Sequence, residues 1–218
     1  MATILLTGFE PFGPDAVNPS WEAVSRLPAE IGTARIVRRR LPVEYDRASL
    51  ILEDTIRRER PDAVLCIGQA GGRSAITPEM LAINYDDAAT PDNAGVQRSG
   101  ISILPDGPAA YFATLPVKAI ARAIRESGVP SAVSFTAGTF VCNHLMYCLL
   151  HLLARDFPAV PGGFIHVPFE AVQIADRPNA PALPLDEIVS ALATAVRVTA
   201  AYLEGGCREA QGAEGRIC

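Results

Sequence analysis

Lysine is almost missing from this chain: Lys118 stands alone, and the other eighteen of the nineteen basic residues are arginines. The net charge is −5 and there is no long basic run. A nucleic-acid footprint needs a basic patch or stripe, so no nucleic acid is expected as a partner. The short Arg38–Arg40 tract lies in a β-like stretch and reads as a solvated edge. Long apolar runs are also missing. The opening "MATILLTGFEPFG" has no positive region and only a few consecutive apolar residues, so neither a secretory signal nor a membrane span is expected there. Five cysteines (Cys66, Cys142, Cys148, Cys207 and Cys218) in 218 residues do not make a disulfide framework. Without an export signal, a reducing cytoplasm is the expected setting. No CxxC pair or HExxH motif occurs, and Cys142 and His144 are too close on one helix to share a tetrahedral metal easily, so no metal is expected. "GQAGGR" fits neither the Walker pattern nor GxGxxG.

About half the residues are apolar, and the length suits one α/β domain with a substantial core. Apolar stretches alternate with helical patterns. "TILLTGF", "ARIVRRRLPV", "DAVLCIG", "SAVSFTAG" and "GGFIHVPF" read as strands. Asn18 and Pro19 cap and open a short helix. A second helix runs from about Asp46 to Arg60 with Leu50, Ile51 and Ile56 inward. A third has Val117, Ile120, Ala121 and Ile124 at helical spacing, with Gly128 as its stop. A fourth begins at Cys142, and a long one from Leu185 ends near Gly205. The alternation predicts an α/β/α sandwich with a mainly parallel twisted sheet, as one domain over residues 1–205. The remaining residues, 206–218, lack an apolar period and read as a flexible tail. Between Gln69 and Gly100 lies a long Gly/Pro/Asp-rich insertion in which only "MLAIN" is strand-like; such insertions are functional or disordered.

Sites in such sheets gather at the carboxyl ends of strands, where Phe9, Gln69, Cys142 and the residues after His166 fall. Cys142 follows a Gly-Thr turn and opens a helix, so its sulfur faces free first-turn N–H groups. Those groups favour a thiolate and can hold an oxyanion. Free cysteines are also among the most buried residues, and position alone leaves both readings standing. Cys66 and Cys148, mid-strand and mid-helix, read as core. Of the three histidines, His166 ends a strand and is the one placed to couple with Cys142. Glu79, Asp86, Asp87 and Asp92 crowd the insertion. Glu79 stands out because the chain there leaves the Gly-rich loop for a strand-like stretch.

Several motifs occur in a recurring order: "LLTGFEPFG" with "NPSWEAV", then "GQAGGR", "ITPE..AIN..DA..PDN.G.Q", "SFTAGTFVCNHLMY" and "GFIHVP". Together they resemble the pyroglutamyl peptidase I family of cysteine peptidases, over nearly the whole chain to about Leu203. The resemblance implies an open α/β/α sandwich, phosphorylase- or hydrolase-like in architecture, that removes N-terminal pyroglutamyl residues from peptides. It implies a Cys-His-Glu triad and a thioester acyl-enzyme, with Cys142 the nucleophile, His166 the general base and acid, and Glu79 the third member. Phe9 and Phe12 match residues that sandwich the lactam ring, Gln69 a substrate-facing glutamine, and Phe140 and Val141 pocket positions. No metal or organic cofactor is implied, and a homotetramer is. Ala89 and Thr90 stand where the family usually has arginine and isoleucine. Competing readings are a nucleoside-phosphorylase-like transferase and a non-catalytic ligand-binding domain of the same architecture.

Overall fold

Every second residue of a strand faces the same side of its sheet, and that parity divides the apolar residues into two cores. In the first strand, β1 (Ala2–Phe9), Ile4 and Leu6 join one core while Leu5 and Phe9 join the other. The computed structural model describes residues 1–214; Cys218 lies outside them. After β1 come α1 (Pro19–Arg26), β2 (Glu30–Ile31), β3 (Ala34–Leu41), α2 (Tyr45–Glu59), β4 (Ala63–Gln69), β5 (Thr77–Pro78), β6 (Leu81–Ile83) and β7 (Ala110–Phe112). Then follow α3 (Val117–Glu126), α4 (Val141–Asp156), β8 (Gly162–Val167), β9 (Phe169–Glu170), a 3₁₀ turn (Ala171–Ile174), β10 (Ala182–Leu183) and α5 (Leu185–Leu203).

The main sheet has the order β2-β3-β1-β4-β8-β5. Its four long strands are parallel, and only the two-residue ends, β2 and β5, run antiparallel. Helices α1, α3 and α5 cover one face and α2 and α4 the other, so the α/β/α sandwich with a mainly parallel sheet is what the chain forms. Fully burying a leucine-sized side chain stabilises by roughly 1.5–3 kcal/mol, which makes these two cores the main source of stability. Asn18 caps α1 as its sequence position implies, accepting the Ser20 N–H at 3.1 Å, with Pro19 at the first helical position.

Two local expectations are corrected, and a third is met through a partner the sequence did not show. Leu50 is 66% exposed; the buried side of α2 is Tyr45, Ala48, Leu52, Thr55 and Ile56, and Leu50 falls off that stripe. Residues 131–138 are extended but make only isolated bridges, Ile76 with Ser131 and Glu79 with Ser134. The Ile76 N–H bonds Pro130 O and the Met80 N–H bonds Ser134 O, but the residue between them, Pro78, has no N–H to donate, so the ladder is interrupted. Finally, "MLAIN" finds a partner in an unforeseen strand, with β6 pairing antiparallel to β7. The described part of the tail lies along α3. Glu209 accepts the Ala119 N–H at 3.0 Å, Lys118 reaches Gly212 O at 3.0 Å, and Arg125 pairs with Glu214 at 2.8 Å.

Candidate active site

Register brings the carboxyl ends of β4 and β8 side by side, with Gly68 opposite His166 and Thr77 of β5 on the other flank of His166. Ile165 and Val167 point into the α1/α3/α5 core. Alternation therefore turns His166 toward the face covered by α4. Cys142 is the second residue of α4, and its sulfur sits over Gly68. A Cβ at Gly68 would lie 3.0 Å from that sulfur and 2.6 Å from the Phe164 ring. Position 68 is thus glycine because the nucleophile candidate and an aromatic ring occupy the space a side chain would need.

Glu79 leaves β5 with its N–H bonded to Phe164 O at 2.9 Å, which places its carboxylate beside the same strand end. The carboxylate is fully buried, and its Oε1 lies 2.6 Å from His166 Nδ1. A carboxylate can only accept, so Nδ1 carries the proton and Nε2 is left as the basic nitrogen. The His166 ring packs on Phe164, with centroids 4.8 Å apart. Arg73, from the "GQAGGR" loop, donates to the same Oε1 at 2.6 Å, to Thr77 Oγ1 at 2.6 Å and to Thr136 O at 3.0 Å. The other glutamate oxygen, Oε2, is buried without a partner. Among the described residues no hydrogen bond joins the Cys142 sulfur to His166.

The helix start leaves Phe140 at the N-cap with no side-chain cap, so the first-turn N–H groups lack an intrahelical acceptor. That much agrees with the sequence. The expected stabilised thiolate does not. Burial of the sulfur, followed by the Glu79 charge, pushes the Cys142 thiol up to about 12, with Arg73 opposing. Desolvation disfavours the charged form, and here it outweighs the open helix end. The resting group is a thiol that needs a base.

A small cavity of about 60 Å³ opens beside the sulfur, lined by Phe9, Phe12, Asn18, Val43, Gln69, Phe140, Val141 and Cys142. Every pocket residue singled out in the sequence is therefore at one place. Phe12 and Phe140 pack at 5.2 Å, and Tyr45 meets Phe140 edge-on at 5.5 Å. Gln69 is held from behind: Gln173 donates to its Oε1 at 2.9 Å and to Asp15 at 3.1 Å, and Arg177 pairs with Asp15. The Gln69 NH₂ is thereby the end left to meet a ligand. Ala89 and Thr90 are exposed and do not line the cavity.

The other acids of the insertion are committed elsewhere. Asp92 accepts the N–H groups of Tyr45, Ala94 and Val96. Asp86 is buried against His144 Nδ1 at 2.8 Å and Arg98 at 2.9 Å. Burial works against a charged His144 ring, but the bonds to Asp86 and Cys148 outweigh it and push the ring up to about 9. Cys148 is half-buried, 3.6 Å from His144 Nε2, where the sequence suggested plain core. This network, like Gly68 and Arg73, was missed because partners such as Asp86 and His144 lie 58 residues apart. A larger groove of about 200 Å³, lined by Leu50, Leu104, Cys148, His151 and Arg155 among others, shares no residue with the cavity at Cys142. Among the described residues no helix is long and apolar enough to cross a membrane, and no group of three or more His, Cys, Asp or Glu side chains is placed to hold a metal.

Comparison with known proteins places the chain in a family. The family profile described as pyroglutamyl peptidase matches residues 2–202. The pyrrolidone-carboxylate peptidase of Levilactobacillus brevis is 52% identical over 194 residues, covering 89% of this chain and 95% of the relative. That of Escherichia fergusonii is 50% identical over 214 residues, covering 98% and 99%. Among solved structures, pyroglutamyl peptidase I of Bacillus amyloliquefaciens superposes with a TM-score of 0.90 at 47% identity, over 93% of this chain and 98% of that one. Pyrrolidone carboxyl peptidase of Thermococcus litoralis gives 0.94 at 36% identity, over 98% and 100%. With a match of this extent across sequence and fold, the chain belongs to the pyroglutamyl peptidase family.

Proposed function

We propose that this protein is a cysteine peptidase that removes N-terminal pyroglutamyl residues from peptides. The observation that carries the reading is the placement of the Cys142 sulfur over Gly68, the register partner of His166, whose Nδ1 is bonded to buried Glu79. His166 Nε2 takes the Cys142 proton as the sulfur adds to the carbonyl carbon that joins pyroglutamate to the next residue. The oxygen of that carbonyl gains negative charge against the first-turn N–H groups of α4. The imidazolium, stabilised by Glu79, then gives its proton to the departing amine, leaving a thioester on Cys142. His166 next draws a proton from water, whose oxygen attacks the thioester and releases pyroglutamate and the free thiol. Each step uses only the thiol, the imidazole and water, so the reaction as written calls for no cofactor.

Phe9, Phe12, Phe140 and Val141 form the apolar walls for the lactam ring, with Gln69 donating to its carbonyl. A high resting thiol suits this scheme, since the nucleophile is made by proton transfer within the site. The working setting is a reducing cytoplasm, and the assembly a homotetramer, both by family likeness. The test is hydrolysis of a chromogenic pyroglutamyl amide with and without iodoacetamide, alongside Cys142→Ser. A folded Cys142→Ser protein that keeps most of its activity overturns the mechanism.

A further inference from the structure

We propose that Arg73 is a positioning residue of this site: its guanidinium, bonded to the very oxygen of Glu79 that His166 uses, restrains that carboxylate and so loosens its hold on the His166 proton. The proposal rests on the reading above. Arg73 is held as a fork from two sides, by Thr77 Oγ1 of β5 and by Thr136 O of the extended 131–138 segment, at 2.6 and 3.0 Å. Its own side chain is 28% exposed while the Glu79 side chain is 0% exposed. A fully buried carboxylate is strongly disfavoured unless paired and hydrogen-bonded. Here both donors, Arg73 and His166, converge on Oε1, and Oε2 has none. If His166 were the sole partner, the whole attraction of the carboxylate would fall on the imidazole and hold its proton.

The charged and titratable groups facing His166 are few. Glu79 and Arg73 come from the β5 side, Cys142 from α4, and Cys66 from β4 beneath it, a thiol that burial pushes up to about 12. Arg73 is the one cation in this set, and it is also the group that opposes the rise of the Cys142 thiol. Removing a positive charge favours the protonated form of every neighbour. The sign is therefore the same for both partners: without Arg73, His166 and Cys142 each titrate at higher pH.

The experiment compares wild type, Arg73→Met and Arg73→Gln by two readouts. Arg73→Gln keeps a polar group for Thr77 and Thr136 while discarding the charge, and it serves if Arg73→Met does not fold. The first readout is the ring NMR titration of the three histidines, with His166 identified through His166→Gln. The second is the rate at which iodoacetamide alkylates Cys142 at a fixed pH near 8, followed by mass spectrometry. The His166 midpoint is expected to rise by about one pKa unit, the low end of what a neighbouring charge does, and a similar rise at Cys142 slows its alkylation about tenfold. In kcat/KM the acidic limb moves with His166, so activity on that limb falls about tenfold while KM holds. In a Glu79→Gln background the Arg73 substitution should move His166 less, because only the direct effect of the lost charge remains. Neither direct readout needs a peptide, so failure to cleave pyroglutamyl amides would sink the assigned function while Arg73 is still judged. A His166 midpoint that stays put or falls, or an unchanged alkylation rate, in a folded charge-removed variant overturns the proposal.

Discussion

Replacing Gly68 by alanine exchanges a hydrogen for a methyl group at the point where the sheet, the nucleophile and the histidine meet. The new Cβ would lie 2.6 and 2.8 Å from two atoms of the Phe164 ring and 3.0 Å from the Cys142 sulfur. The ring cannot simply turn aside, because Phe164 is 1% exposed and packs on His166 at 4.8 Å and Phe9 at 6.4 Å. Overpacking of a filled core destabilises by about 1–3 kcal/mol. Alanine regains about 0.4–1 kcal/mol by restricting the unfolded chain, leaving a net loss of roughly 1–2 kcal/mol. For a chain of this size, roughly 2–4 °C follows per kcal/mol, so Tm should fall by about 2–8 °C. The larger effect is on rate. Any relief moves either the sulfur or the ring that supports His166, and a misplacement of about 1 Å costs on the order of 100-fold. Scanning calorimetry and kcat/KM on a pyroglutamyl anilide measure the two effects separately. Gly163→Ala is the control: its Cβ would meet Leu115 at 3.0 Å and Ala113 at 3.3 Å, so it strains β8 away from the site and should leave kcat/KM near wild type. A Gly68→Ala enzyme with wild-type Tm and wild-type kcat/KM would refute the packing argument.

Glu79→Gln should lower kcat by roughly 10²–10⁴-fold, the range of acid–base assistance, while Tm changes far less; an unchanged rate would remove Glu79 from the mechanism, and Asp92, committed to the start of α2, could not replace it. His144 is raised from 6.5 to about 9, so its stabilisation is complete below pH 6.5 and is lost as pH climbs through 9. The total is on the order of 3 kcal/mol. A Tm that holds flat from pH 6.5 to 9.5, or that falls equally in a folded His144→Gln variant, contradicts this. Prolyl amides should be cleaved about 10⁴-fold less efficiently than pyroglutamyl amides, because proline leaves Gln69 without its carbonyl partner; a preference below roughly tenfold would mean that the cavity reads only ring shape. Truncation after Gly205 removes the Arg125–Glu214 ion pair, worth at most about 1 kcal/mol, and hydrogen bonds to Lys118 and Ala119, all at α3 on the sheet face away from Cys142. It should leave kcat/KM intact, and a folded but inactive truncation would show otherwise.

Local information in the chain was enough for the order of strands and helices, since burial on both sheet faces makes apolar runs and one-sided helices leave their period in the sequence. The cap of α1, the apolar stripe of α3 and the start of α4 are all short-range features, and each can be read within a few neighbouring residues. So can the position of Cys142 at a helix start and of His166 at a strand end. Strand ends place Phe9 and Gln69, and entry into a strand-like stretch singles out Glu79, but the roles of these residues and of Phe12 come from family likeness. An acid in a loop has much the same local pattern whether it orients a histidine, caps a helix or pairs with arginine. Tertiary structure decided that. Parallel register, built by crossovers that carry no local signal, set Gly68 opposite His166, and packing at that strand end brought Arg73 and His166 to one oxygen of Glu79. It likewise buried Asp86 against His144 and Arg98. The state of the Cys142 thiol was beyond the sequence for a related reason: the helix start that favours a thiolate is local, whereas the burial and the Glu79 charge that oppose it exist only once β4, β5, β8 and α4 have packed.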